Sequence, residues 1–249
     1  MPYSDEMRGE VGRLIFAYLA ISFTSGTFGF SLPYYIPHVL GLPGWVMGII
    51  ITISGLTGVV LSWPFGYLSD RYGRRRIYAL GGIFSSMAMV VVAYAGRFEE
   101  LILAAVISGF SGAMLGSSYN ALLADKAAGE SRTRAFSLSF FVGTLGMAAG
   151  GFILRALYPL EMLTGSSLEA HRLFYLMMAG FTLVSPLLAM SVSPGIKKEG
   201  QLVFMFPKRS AKYLVPYLIS SALIAFGAGM IVPLMTYWFS LKFLIDDAT

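Results

Sequence analysis

The chain alternates long apolar runs with short charged segments, and the length of the runs sets the first expectation. Seven runs, at 14–36, 45–68, 77–96, 101–124, 135–154, 173–192 and 213–239, carry no acidic or basic residue. A helix rises about 1.5 Å per residue, so about 20 apolar residues cross the hydrocarbon core of a bilayer. A charge at the centre of such a helix costs roughly 2.5–3.5 kcal/mol, which explains why the thirteen acidic and eighteen basic residues stand outside. The runs are continuous rather than alternating, which argues against the strands of a membrane barrel. The pattern therefore predicts an all-α transmembrane protein. The first run exceeds the 7–15 residues of a signal-peptide core and six more follow, so it reads as a span.

Charge orients the spans. Fourteen Lys and Arg residues fall on the side of the N-terminus and the 71–76 loop, against four (Arg97, Arg155, Arg172 and Lys242) on the other. By the positive-inside rule the N-terminus is cytoplasmic. The organisation expected is a six-helix bundle at 1–192, a cytoplasmic linker at 193–212, and a seventh transmembrane helix within 213–249. Within the linker, the apolar stretch 202–206 is too short to span and is expected at the membrane interface.

Composition sharpens this picture. Only 12% of residues are charged and 56% are hydrophobic, with a mean hydropathy of +0.71. Soluble domains average roughly 25% charged residues, so the bilayer is the main partner and nucleic acid is not, despite a net charge of +5. The absence of cysteine excludes disulfides and thiolate chemistry. His38 and His171 fall in the loops of the less basic side, and the sequence holds one asparagine, Asn120, and one glutamine, Gln201. Enzyme chemistry, a metal site and a cofactor are not expected from so sparse a polar inventory.

Span seven restates span one: Gly29-Phe-Ser-Leu-Pro33 returns as Gly229-Met-Ile-Val-Pro233. Two six-span halves are a known transporter plan. The chain then stops as a second half begins, so a missing C-terminal half is expected.

The strongest motif lies between spans two and three, Gly66-Tyr-Leu-Ser-Asp70-Arg71-Tyr-Gly73-Arg74-Arg75-Arg76. It resembles the major facilitator superfamily signature G-x-L-x-D-R-x-G-R-R/K. Gly66 is expected to admit a neighbouring helix closely, Asp70 to cap the next helix, and Gly73 to permit the reversal. After span four, Ala121-Leu-Leu-Ala-Asp125 and Arg134 resemble the family pattern of an acid ending span four and an arginine opening span five. The resemblance implies that Arg74 pairs with Asp125 in a charge latch that releases as the transporter rocks. Span five carries Gly143, Gly146, Gly150 and Gly151. They resemble the antiporter motif G-P-x-x-G-G with Met147 in place of proline, and helix packing is the favoured reading of these glycines.

The resemblance further implies a drug/proton antiporter-like member in the cell (plasma or inner) membrane, in which spans one, four and seven line a central cavity. Span one offers Phe23, Thr27, Phe30 and Tyr34, and span four offers Gly112, Gly116 and Asn120. An aromatic lining without charge suits a small lipophilic or weakly polar substrate moved outward by alternating access. A coupling proton would need a titratable group in the path, and these spans show none. Either it lies in the second half or the protein is a facilitator. The alternatives are a sugar or metabolite uptake facilitator of the same superfamily and a non-transporting membrane scaffold or sensor of that architecture. A retinal protein is excluded because the seventh span contains no lysine.

Overall fold

The computed structural model describes residues 5–127, 131–194, 208–231 and 235–243. Glu130, the apolar stretch 202–206 and Pro233 lie outside the described residues. Helix α1 (Asp5–Tyr34) runs into a wider π turn (Tyr35–Val39), in which the Leu40 N–H donates to the Tyr35 carbonyl at 3.0 Å. Pro33 and Pro37 lack the N–H that a regular helix needs, which favours this relaxation. Helix α2 (Trp45–Tyr72) is separated from α3 (Arg74–Tyr94) by Gly73 alone, at φ +103°. That left-handed conformation is open to glycine and strained for other residues. Helix α4 is Phe98–Lys126 and α5 is Ser131–Phe152. A 3₁₀ turn (Ile153–Ala156) leads to α6 (Leu157–Thr164), then α7 (Ser167–Thr182) and α8 (Val184–Met190), and finally α9 (Lys208–Ile231) and α10 (Met235–Phe243).

Six helical runs are long and apolar enough to cross a membrane, and they contain the first six predicted spans except for the last residues of the third and sixth. The fifth run extends through Arg155 to Thr164, ten residues beyond the expected end at 154. Arg155 is exposed, so its charge reaches out of the apolar layer and does not stop the helix. Over the expected seventh span the apolar helix Ile219–Gly229 is shorter than the other six.

His171 corrects the loop assignment. It is fully buried within α7, stacked on Tyr35 at 5.1 Å between ring centroids. Its Nδ1 lies 2.8 Å from the Ser167 carbonyl, which can only accept, so Nδ1 carries the proton. The expectation that no histidine is buried in the spans is overturned, because the flanking Glu169 and Arg172 face outward and pair with each other at 2.6 Å.

Membrane helices gain no hydrophobic drive from lipid, so they associate through small residues and interhelical hydrogen bonds. The α1–α5 seam shows this. A Cβ added at Gly150 would stand 2.2 Å from the Phe23 carbonyl oxygen, and one at Gly143 would stand 2.4 Å from the Tyr18 ring. Gly109 likewise brings α4 onto the Ser54 carbonyl of α2. Buried hydroxyls are paired across helices: Ser31 with Tyr175 at 2.8 Å, Tyr78 with Ser185 at 2.9 Å, and Ser111 with the Gly81 carbonyl at 2.9 Å. The apolar side chains left exposed, such as Val59, Val60 and Trp63 on α2 and Phe140 and Phe141 on α5, suit a lipid or protein surround rather than water.

Candidate functional site

The α2–α3 elbow places Asp70 in the last turns of α2 and Arg74 in the first turn of α3. The Arg74 Nε and Nη2 donate to Asp70 Oδ1 at 3.0 and 2.8 Å. Its Nη1 donates across to α4, to Asp125 Oδ1 at 2.5 Å and to the Ala121 carbonyl at 3.1 Å. A planar guanidinium has the fork of donors this needs, and an ammonium does not. The Arg74 and Asp125 side chains are 11% and 12% exposed, which makes this more than a surface pair.

Two of the other motif residues, Asp70 and Gly66, are placed differently from expectation. Asp70 does not cap α3: the cap position is Gly73, without a side-chain hydrogen bond, and the Asp70 carboxylate is taken up by Arg74. Gly66 is not a tight contact, since a Cβ there would meet Ser117 Cβ at 4.0 Å. Arg71 is exposed, with its guanidinium 5.6 Å from the Tyr72 ring centroid. Arg134 is exposed on α5.

Arg75 belongs to a second cluster that the sequence reading missed. Its Nη1 donates to the Val192 carbonyl at 2.7 Å, beyond the end of α8. Arg13 of α1 donates to the Ser191 carbonyl at 2.9 Å. Lys126 of α4 pairs with Glu10 of α1 at 3.0 Å, both side chains 10% exposed, and also reaches the Ser193 hydroxyl. The Ser193 N–H in turn donates to Glu10 at 2.6 Å. Cations on the last carbonyls complement the negative end of a helix. Side chains from α1, α3 and α4 thus converge on residues 191–193. The only sequence signal was an acid just before span one and a lysine just after span four.

The cavity candidates separate into two groups. Thr27 is buried, bonded to the Phe23 carbonyl at 3.0 Å, and Phe23 stacks edge-on against Phe181 at 5.4 Å. These two face the α1–α5–α7 seam. Phe30 lies over Gly151, and Tyr34 stacks on His38 at 4.6 Å. Gly112, Gly116 and Asn120 are exposed along one face of α4, with the Asn120 amide donating to the Gly116 carbonyl at 3.3 Å. In span five, Gly143, Gly146 and Gly150 are buried against α1. Elsewhere an apolar cavity of about 380 Å³ lies among α1, α2 and α4, with Val92 of α3 at its wall. Phe28 and Gly29, not the expected Phe23 and Thr27, line it, because Thr27 packs against Gly150 of α5 and the Phe23 ring against Phe181 of α7. Among the described residues no group of His, Asp and Glu is arranged to hold a metal.

This arrangement of apolar spans, small-residue seams and a buried charge cluster at a one-residue elbow defines a helical membrane transporter fold. The chain belongs to the Major Facilitator Superfamily, whose family model matches residues 14–244. The quinolone resistance protein NorA of Staphylococcus aureus (strain MRSA252) is 31% identical over 127 residues, which are 49% of this chain and 32% of that protein. An uncharacterized transporter of Buchnera aphidicola subsp. Schizaphis graminum is 35% identical over 94 residues, 38% of this chain and 24% of that one. A bacterial homolog of the human lysosomal transporter Spinster, solved inward-facing and unoccupied, superposes with a TM-score of 0.74 at 14% identity, over 98% of this chain and 58% of its own. The nucleoside transporter NupG gives a TM-score of 0.64 at 16% identity, over 86% and 54%. The chain thus spans about a third or less of the curated relatives and just over half of the solved ones.

Proposed function

We propose that the chain is the N-terminal part of a secondary transporter that exports a small lipophilic or weakly polar solute by alternating access, coupled to a proton. The Arg74 cluster is the observation that carries the mechanism. One guanidinium holds Asp70 of α2 and Asp125 of α4 in a site largely shielded from water, so breaking it is costly and re-forming it is favourable. A contact of that kind suits a latch with two discrete states. Gly66, Asp70, Arg71, Gly73, Arg74, Arg75, Asp125 and Arg134 are its proposed motif, on the cytoplasmic side of the cell membrane. Gly112, Gly116 and Asn120 are proposed on the substrate face of α4, where a second six-helix half would close the path. The outward direction and the lipophilic class are supported by the partial similarity to a quinolone resistance protein and by the absence of Lys, Arg, Asp and Glu from the predicted spans.

The test uses the complete protein in proteoliposomes with an imposed pH gradient and a lipophilic fluorescent dye. Dye movement that follows the sign of the gradient supports the reading. Equal leakage with and without protein, under either gradient, overturns it.

A further inference from the structure

The helices fall into two interlocked sets. Along α1 and α5, a Cβ added at Gly26 would stand 2.2 Å from the Met147 carbonyl oxygen, and one at Gly146 would stand 2.8 Å from Leu19. With Gly143 and Gly150 these contacts run along most of the seam, so neither helix can turn without carrying the other. Helix α4 is locked to α2 and α3 in the same way. Gly109 lies against the Ser54 carbonyl, Gly81 lies against Met114, and Ser118 donates to Ser69 at 3.1 Å. The Arg74 side chain joins these same three helices. Helices α7 and α8 ride with α3, through Ser86 on the Ala179 carbonyl at 2.8 Å and Tyr78 on Ser185 at 2.9 Å.

Between the two sets the contact is uneven. At the latch end Tyr119 of α4 is buried and stacks on Tyr18 of α1, with ring centroids 4.5 Å apart. Its hydroxyl bonds to Ser139 of α5, and Tyr18 is itself seated on Gly143, one turn beyond Ser139. The Glu10–Lys126 pair closes that end. Toward the other end α4 presents Ala104, Ala105 and Ser108, and the apolar cavity of about 380 Å³ separates them from Phe28, Gly29 and Leu32 of α1. There α1 meets α7 through Ser31 and Tyr175 at 2.8 Å and through the Phe28 ring, 5.7 Å from that of Tyr175. Apolar contact is non-directional and lets surfaces slide, whereas a hydrogen bond fixes distance and angle.

We infer that the bundle is not one rigid body. Helices α1 and α5 turn as a pair against the remaining helices, pivoting at Tyr119 and taking up the free volume of the cavity. Tyr119 is thus a positioning residue. Its neighbour Asn120 lies on the proposed substrate face, so a turn of the pair changes the width of the path beside it. That use in transport rests on the transport reading, whereas the pivot does not.

The chain contains no cysteine, so spin labels on paired cysteines report single distances in the purified full chain. Glu99→Cys with Phe152→Cys spans the two sets at the far end, and Arg76→Cys with Thr133→Cys spans them at the latch end. Phe16→Cys with Phe152→Cys lies within the α1–α5 pair, and all of these positions are exposed. Pulsed electron double resonance is expected to give a broader distance distribution for the first pair than for the other two. Tyr119→Phe keeps the stack and removes the hydroxyl. It is expected to raise the displaced population of the first pair about fivefold, the worth of one hydrogen bond, and to leave the Phe16–Phe152 distribution unchanged. Ser139→Ala should do the same, and the double variant should be no broader than Ser139→Ala alone, since both remove one bond. Equal widths for the three pairs in the parent overturn the two-set reading. Broadening of the Phe16–Phe152 pair together with the first shows general loosening and overturns the pivot. In the complete protein, Tyr119→Phe is expected to lower maximal dye flux and leave the half-saturating dye concentration where it was. A raised half-saturating concentration at unaltered maximal flux would make Tyr119 a solute contact and overturn its positioning role. Selective broadening in a protein that moves no dye leaves the pivot standing and removes the transport reading.

Discussion

Arg74 satisfies three oxygens on two helices at once, whereas its neighbour Arg75 turns to the Val192 carbonyl and Arg76 is exposed. Arg74→Lys keeps the charge but loses the fork, so dye flux of the complete protein is expected to fall at least about tenfold at equal membrane abundance, the effect of roughly 1.4 kcal/mol. Arg76→Lys, at an exposed position, is expected to leave flux near the parent level. Asp70→Asn should likewise cut flux without reducing insertion, and parental flux in that variant would sink the latch. The Glu10–Lys126 pair permits a stability test, since a lone buried charge costs more than a removed pair. Glu10→Gln and Lys126→Met should each lower the unfolding temperature in detergent more than the double variant does. The Arg74–Asp125 pair was legible because the motif fixes Asp70, Gly73 and Arg74 at set spacings beside an acid that ends span four. Glu10 and Lys126 were not, because residues far apart in the chain carry no periodic signal of their meeting. His171 was misread for a related reason: charged neighbours on either side suggested a loop, and only packing against Tyr35 shows it to be inside.

Between helices, glycines decide how closely the seams close, and the same residue type has opposite consequences at different positions. Gly150→Ala would force its methyl to within 2.2 Å of the Phe23 carbonyl, whereas Gly112→Ala and Gly116→Ala would meet nothing within 4 Å. The first is expected to destabilise the bundle by about 1–3 kcal/mol, as overpacking does, and the other two to change the melting temperature in detergent little. An unaltered melting temperature for Gly150→Ala would show that α1 and α5 do not pack this closely. Six of the seven expected spans and most of their limits followed from run length alone, since each run must cross a layer of fixed thickness. The sorting of span-four glycines into Gly109, buried on α2, and Gly112 and Gly116, exposed, did not follow. Their common spacing shows a shared stripe and not which neighbour covers it.

For the whole molecule, the arginine-rich elbow and the α6–α7 turn lie at opposite ends of the spans. With the orientation proposed, a cysteine at Arg76 should react with a membrane-impermeant maleimide only in inside-out vesicles. One at the exposed Ser166 should react only in right-side-out vesicles. The reverse pattern would invert the topology and place the latch outside. Family and helical class were legible from seven runs and one loop motif, whereas the cavity depends on how α1, α2 and α4 fail to fill the space among them. The clamp on residues 191–193 has one further consequence. Whatever chain follows Ser193 departs from a point pinned to α1, α3 and α4, so none of a tether's length is lost to slack at that end. A shorter effective tether raises the local concentration of the domain it carries. The arginine of a latch motif and an ion pair beside the first span would then also set how often two halves of a transporter encounter one another.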